Sequence, residues 1–174
     1  TMSLLGESTP YWALSLAFWL HMLATVAWIG GLVAVVVLVL PAAKKTLQPE
    51  TYAIYLGQIQ RRLDPIGWLS LAVLLATGLF QMSANPNYQG FLSISNRWAA
   101  SMLLKHILFI GMIGISAYMT WGILPGLRRI AMKQAKGLDV QFTEQLQKQE
   151  TLLLRMNLIL GILILGLTAF ARAA

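Results

Sequence analysis

The sequence contains no cysteine, two histidines and few charged residues, only six of which are acidic. The absence of cysteine excludes disulfides, iron–sulfur clusters and thiolate metal sites. Charged residues make up 11% of the chain, whereas soluble domains carry about 25%. None of the acidic residues falls inside a long apolar run, and no phosphate loop or dinucleotide fingerprint is present. These absences exclude the common hydrolytic and nucleotide-binding sites and indicate a membrane protein.

Four long apolar runs, at residues 11–40, 66–82, 97–124 and 152–170, account for most of the chain. About 20 apolar residues span a bilayer as a helix. The sequence therefore predicts an all-α, integral membrane four-helix bundle with up-down-up-down topology, a single transmembrane domain over residues 1–174. The first run is about twice as long as the core of a signal peptide, so we expect it to be retained.

The segments between the runs give further predictions. Pro41 and Pro125 are predicted to close the first and third spans. Residues 42–63 carry apolar side chains at helical spacing, which indicates either an amphipathic helix lying on the membrane or a protruding start of the second span. Asp64-Pro65 is typical of an N-cap or of a small break. A helix beginning near Thr143 is predicted to run into the fourth span.

Turns are predicted at two places between the spans. Asn85-Pro86-Asn87 follows the second run, and Gly137-Leu138-Asp139 lies before the fourth.

Lysine and arginine are concentrated in the loops 42–63 and 126–148. The positive-inside rule places both loops in the cytoplasm and both termini outside, and we expect the bacterial inner (plasma) membrane. The net charge of +7 lies at the ends of the apolar runs, which indicates contact with the lipid bilayer rather than with nucleic acid. Homo-oligomers are compatible with such a bundle, and the sequence names no redox partner.

Both histidines, His21 and His106, lie inside apolar runs. An ionisable residue in a membrane helix is costly, so it indicates a functional position. Each histidine follows a tryptophan, Trp12 or Trp98, by eight or nine residues, so both imidazoles are predicted at the same depth. The alternative is that each histidine simply hydrogen-bonds a neighbouring helix.

The two halves of the chain, residues 11–82 and 97–170, suggest an internal repeat. His21 precedes Leu40-Pro41 by about the same interval at which His106 precedes Leu124-Pro125. A two-fold axis along the membrane normal would then place the first and third spans on a diagonal of the bundle. Such a diagonal measures roughly 11–14 Å, which suits a b-type haem (heme b) held between His21 and His106 as axial ligands.

Other residues near this level could contribute. Gly31 and Gly114 would leave room for a macrocycle, and Trp28 lies two turns from His21 as packing or as a cofactor wall. Lys105 could extend outward to the membrane surface or serve a haem propionate or an anionic substrate. Met102 lies one turn from His106, and imidazole and thioether ligands together suit Cu(I). Copper is therefore the alternative metal.

Four stretches of the sequence resemble the copper resistance D (CopD) family. They are the segment from His21 through Trp28 to Gly30-Gly31, the later Leu40-Pro41, Ala76-Thr77-Gly78, and Trp98 with Leu103-Leu104-Lys105. The resemblance implies a polytopic membrane protein linked to copper uptake or tolerance. That family is similar to the HemJ-type protoporphyrinogen oxidases, which bind b-type haem. In that oxidase group the matching residues of interest are His21 and Lys105.

The favoured interpretation is a haem protein that transfers electrons, because two axial imidazoles leave no open position on the iron. The alternative is copper transport or handling by His21, His106 and Met102. A third interpretation is a porphyrinogen oxidase that uses Lys105. The sequence does not decide whether the protein is an enzyme.

Overall fold

The computed structural model describes residues 10–88, 90–92, 94, 97–135 and 143–173. This part of the chain forms long helices, two of which are continued through a short π-helical turn. In chain order these are α1 (Tyr11–Val33), the π turn Ala34–Val39, α2 (Leu40–Thr46), α3 (Pro49–Ser83), α4 (Arg97–Tyr118), the π turn Met119–Ile123, α5 (Leu124–Ala135) and α6 (Thr143–Ala173).

Four helical segments are long and apolar enough to cross a membrane: Tyr11–Thr46, Ile54–Ser83, Arg97–Ile130 and Gln145–Arg172. The predicted all-α fold with four spans is therefore confirmed. The predicted continuity of the fourth span with a helix from Thr143 is also confirmed by α6. Each span is longer than its apolar run, because the helices extend beyond the apolar part at the end that carries the basic residues.

The prediction that Pro41 and Pro125 close the first and third spans is wrong. A proline in a helix lacks an N–H and its ring crowds the carbonyl group four residues earlier. Both helices accommodate this by widening one turn, so that the N–H of Leu40 donates to the carbonyl of Val35 and that of Leu124 to the carbonyl of Met119. The chain then continues as α2 and α5.

Helix α3 runs without interruption from Pro49 to Ser83, with Pro65 inside it. Asp64 is therefore not an N-cap, and the protruding start of the second span is the correct alternative for residues 49–63. Tyr52 and Leu56 on this extension are buried in a core cluster that includes Leu40 and Leu154. The extension is helical because one of its faces packs on α2 and α6 beyond the apolar runs.

The helices pack as a square. α1 contacts α3 and α6, α4 contacts α6, and α5 contacts α3. The first and third spans therefore lie on a diagonal of the bundle, as predicted. The internal repeat itself stays a prediction, although both π turns stand directly before a Leu-Pro pair.

Of the two predicted turns, the one after the second span is present. The N–H of Tyr88 donates to the Asn85 carbonyl at 3.0 Å, and that of Asn87 donates to the Asn85 side chain at 2.9 Å. The predicted turn at Gly137-Leu138-Asp139 lies outside the described residues.

Candidate functional site

Polar side chains meet inside the bundle at two levels. One level, the histidine site, consists of His21 and Thr77 and lies toward the end of the bundle that holds Tyr11, Ser83, Arg97 and Arg172. The other level is a cavity toward the opposite end, where the basic side chains lie. We call the first the terminal end and the second the basic end.

The His21 ring is oriented by helix α3. Its Nδ1 lies 2.8 Å from the Thr77 hydroxyl oxygen. The single Thr77 hydroxyl hydrogen goes to the Val73 carbonyl at 2.6 Å, so this oxygen accepts the hydrogen bond with the ring. Nδ1 must therefore carry the proton, which leaves the Nε2 lone pair of the neutral imidazole free. A hydrogen-bonded N–H opposite a free ring nitrogen is the usual arrangement of a histidine metal ligand.

The His106 ring shows the same arrangement with a different partner. Its Nδ1 lies 2.6 Å from the carbonyl oxygen of Met102, which can only accept, so here too Nδ1 donates. The ring also packs edge-on against Phe91, with 5.0 Å between centroids. His21 is therefore held by a neighbouring helix, whereas His106 is held by its own helix and the loop before it.

Lys105 lies on the face of α4 that packs into the bundle. Ser101, Met112 and Ser116, spaced along the same stripe, are buried. The ammonium group interacts electrostatically with His21 and with Arg172, and the Arg172 guanidinium lies 5.7 Å from the centre of the Phe18 ring. The positive charge of Lys105 is thus close to the histidine site, and its role stays a prediction.

The remaining predicted site residues are scattered. Trp28 and Gly31 line the cavity at the basic end rather than the histidine site. Gly114 is exposed, and nothing lies within 4 Å of where its Cβ would be. Met102 is half-buried. The structure therefore does not gather these residues around one cofactor.

The cavity at the basic end has a volume of about 70 Å³ and is bounded by all four spans. Its walls are mainly apolar, and they include Val35 and Met119 from the two π turns. Both turns are wider than an α-helical turn. The polar side chains that line it are Trp28, Gln60, Asp64, Trp68, Ser116, Glu150 and Asn157.

Some of these polar groups are bonded to one another. The Asn157 amide donates to the Ser116 hydroxyl at 3.0 Å. The Trp68 indole N–H donates to Thr120 at 3.1 Å, and the Thr120 hydroxyl donates to an Asp64 carboxylate oxygen at 2.6 Å.

Four buried atoms at the cavity have no partner in hydrogen-bonding geometry, although the Gln60 amide lies near the Glu150 carboxyl group: Trp28 Nε1, Gln60 Nε2, Glu150 Oε2 and Asn157 Oδ1. Only 2% of Glu150 and 1% of Asn157 is exposed. Buried polar atoms without partners are rare in native proteins and call for an explanation. They are the strongest sign that this cavity holds something polar.

Sequence reasoning missed Gln60, Glu150 and Asn157. It placed every acidic residue outside the spans, but Asp64 and Glu150 lie within the longer helices of the structure. Glu150 and Asn157 are seven residues apart and so share one face of α6. This spacing is the signal that could have indicated a polar face at the start of the fourth span.

The structure gives no support for a haem between the histidines. The two rings are held by different neighbours, and the cavity lies away from both. Among the described residues, no group of three or more histidine, aspartate or glutamate side chains could hold a metal ion.

Comparison with known proteins gives one result. The family model of copper resistance protein D matches residues 57–171, about two thirds of the chain, which includes the second, third and fourth spans but not His21. No curated protein and no solved structure shows a significant match, so the similarity to HemJ-type oxidases stays a prediction. The chain is an integral membrane protein that belongs to the copper resistance protein D (CopD) family.

Proposed function

We propose that this protein handles copper ions in the membrane, with Nε2 of His21 as a Cu(I) ligand. Membership of the CopD family supports copper as the cargo. The single observation that carries the residue assignment is the bond from Nδ1 of His21 to Thr77, which leaves the opposite ring nitrogen free.

The available side chains suit Cu(I) better than a hard cation. Imidazole and thioether groups are ligands that Cu(I) accepts, whereas magnesium and calcium prefer carboxylates and carbonyls. No described residue hydrogen-bonds to Nε2 of His106, so His106 and Met102 supply a second imidazole and a thioether on α4. Sites with few ligands bind an ion weakly, and a protein through which an ion passes must also release it.

The electron-transfer interpretation is less favoured. A bis-histidine haem needs both rings to face one planar cavity, but His21 faces α3 and His106 faces Phe91. An absorption spectrum of the purified protein tests this alternative independently, because a haem with two imidazole ligands gives a Soret band that shifts on reduction. Colourless protein is the expected result.

The experiment is a Cu(I) titration of the purified protein against a chromogenic chelator under reducing conditions. Wild type is expected to bind Cu(I) reversibly with a measurable affinity, and His21→Ala to bind at least about tenfold more weakly. Met22→Leu is the matched control: Met22 is the next residue, but 59% of it is exposed on the outside of the bundle. Equal affinities for wild type and His21→Ala would overturn the assignment.

A further inference from the structure

The cavity at the basic end presents unpaired donors and unpaired acceptors together. Trp28 Nε1 and Gln60 Nε2 can only donate, whereas Glu150 Oε2 and Asn157 Oδ1 are oxygens that can accept. A bare cation would satisfy the oxygens alone, and an anion would have to lie beside a carboxyl group. Water is the ligand that satisfies both kinds of group at once.

The size of the cavity agrees with water. Each buried water needs roughly 10–15 Å³ of such volume and two to four polar partners, so about 70 Å³ holds several molecules. The polar groups extend into the bundle along α6 from Glu150 to Asn157, two helical turns or about 10 Å. Glu150 lies at the end of this row that is nearer to the basic residues.

Among the residues that the structure describes, no cation lies buried beside Glu150. Taking a carboxylate out of water is very costly unless a positive charge or a proton compensates. Tyr52 on α3 interacts electrostatically with Glu150. The other charged residues described toward the basic end include Arg61, Arg62 and Asp64 on α3, Lys44 and Lys45 on α2, Arg128, Arg129 and Lys133 on α5, and Lys148 and Arg155 on α6. Every cation in this set is exposed. A proton delivered through water is the remaining way to compensate the charge.

We propose that this cavity is a hydrated proton-binding site, in which Glu150 exchanges a proton with the water at the basic end of the bundle. A cavity water gives one proton to a carboxylate oxygen of Glu150 and takes up another from the bulk water at the basic end, so that it stays neutral, and the proton leaves by the reverse of this relay. No other reactant is required. The inference rests on burial, unpaired atoms and volume, and is independent of the copper proposal.

Infrared spectroscopy of the protein in lipid tests the proposal directly, since the chain has only six acidic side chains. The difference spectrum between wild type and Glu150→Gln is expected to show the C=O stretch of one protonated carboxyl group. This band should titrate with pH and shift to lower wavenumber in D₂O. A difference spectrum without the band, or a band that neither titrates nor shifts in D₂O, would overturn the proposal.

Two further variants separate the site from its surroundings. Asp64→Asn removes the other carboxyl group of the cavity and should leave the Glu150 band in place; loss of the band would assign it to Asp64 and overturn the proposal. Asn157→Leu fills the deeper end of the cavity, beyond Glu150 as seen from the basic residues, so deuterium exchange at Glu150 should stay close to that of wild type. Slower exchange in that variant would contradict the proposed water route from the basic end. None of these readouts requires copper.

Discussion

At the scale of single residues, the protonation of two imidazoles is determined by their hydrogen-bond partners. Thr77 has one hydroxyl hydrogen and gives it to Val73, and the Met102 carbonyl has no hydrogen to give. Each histidine must therefore donate from Nδ1, and each keeps Nε2 available for a metal.

Replacing Thr77 tests this reasoning without touching the proposed ligand. Thr77→Val keeps the shape of the side chain but removes the acceptor for Nδ1, so the Cu(I) affinity should fall about 10–100-fold. Thr77→Ser keeps the hydroxyl group and should bind nearly as well as wild type. Equal losses in both variants would mean that packing, and not the hydrogen bond, positions the ring.

Tyr52 gives a prediction for alkaline pH. Burial, and then the nearby Glu150, raise the pKa of its phenol above the usual value, although a hydrogen bond with Thr151 opposes them. The folded protein therefore holds this proton more tightly than the unfolded chain, so stability should fall as the pH rises above about 10. In thermal unfolding, Tyr52→Phe should lose less stability than wild type between pH 9 and 11 (about one unit on either side of the usual value). Tyr55→Phe, at an exposed position on the same helix, should behave like wild type.

At the scale of the helices, two widened turns and one close contact shape the interior. The π turns before Pro41 and Pro125 border the cavity from opposite sides. Between them, Trp28 of α1 lies against the backbone of α3 at Gly67, where an added Cβ would come within 2.5 Å of the indole ring. Only glycine allows the two helices to approach this closely while the indole lines the cavity.

Gly67→Ala should therefore destabilise the protein by about 1–3 kcal/mol, as overpacking of a well-packed interior does. Gly57→Ala on the same helix is the control, because nothing lies within 4 Å of its added Cβ. That change should be neutral or stabilise by about 0.5–1 kcal/mol, since alanine favours helix over glycine. Thermal unfolding of both variants in one detergent compares them, and equal melting temperatures would contradict the close contact.

At the scale of the whole molecule, charge and shape divide the bundle into two ends. The described lysine and arginine side chains of α2, α3 and α5 are exposed at the basic end, and the histidine site lies toward the other. We propose that the basic end faces the cytoplasm, because basic loops are retained there.

Because the chain lacks cysteine, a single cysteine introduced by mutation reports this orientation without background labelling of the protein. Ser83 and Lys45 are both exposed, at opposite ends of the bundle. A membrane-impermeant maleimide added to intact cells should label Ser83→Cys and should label Lys45→Cys only after the membrane is opened. The reverse pattern would invert the topology.

Hydropathy was enough to predict the four spans, and the matched spacing of histidine and proline in the two halves was enough to predict the diagonal placement of the first and third. Sequence patterns could not predict the orientation of the two imidazole rings. Helical spacing predicts only how deep each histidine lies along its helix, whereas contacts with Thr77 and Phe91 orient the rings of His21 and His106, respectively. Nor could they predict that Pro65 would be tolerated within α3 or that Glu150 would be buried. The burial of Glu150 depends on tertiary packing of the helix extensions beyond the apolar runs, which hydropathy does not report.

X-ray absorption by the Cu(I)-loaded protein tests the central claim most directly, because it reports the atoms bound to copper. We expect a nitrogen ligand with the outer-shell scattering of an imidazole ring in wild type, and loss of the His21 contribution in His21→Ala. A spectrum with no imidazole contribution, or one that His21→Ala leaves unchanged, would contradict the assignment of His21 as a copper ligand.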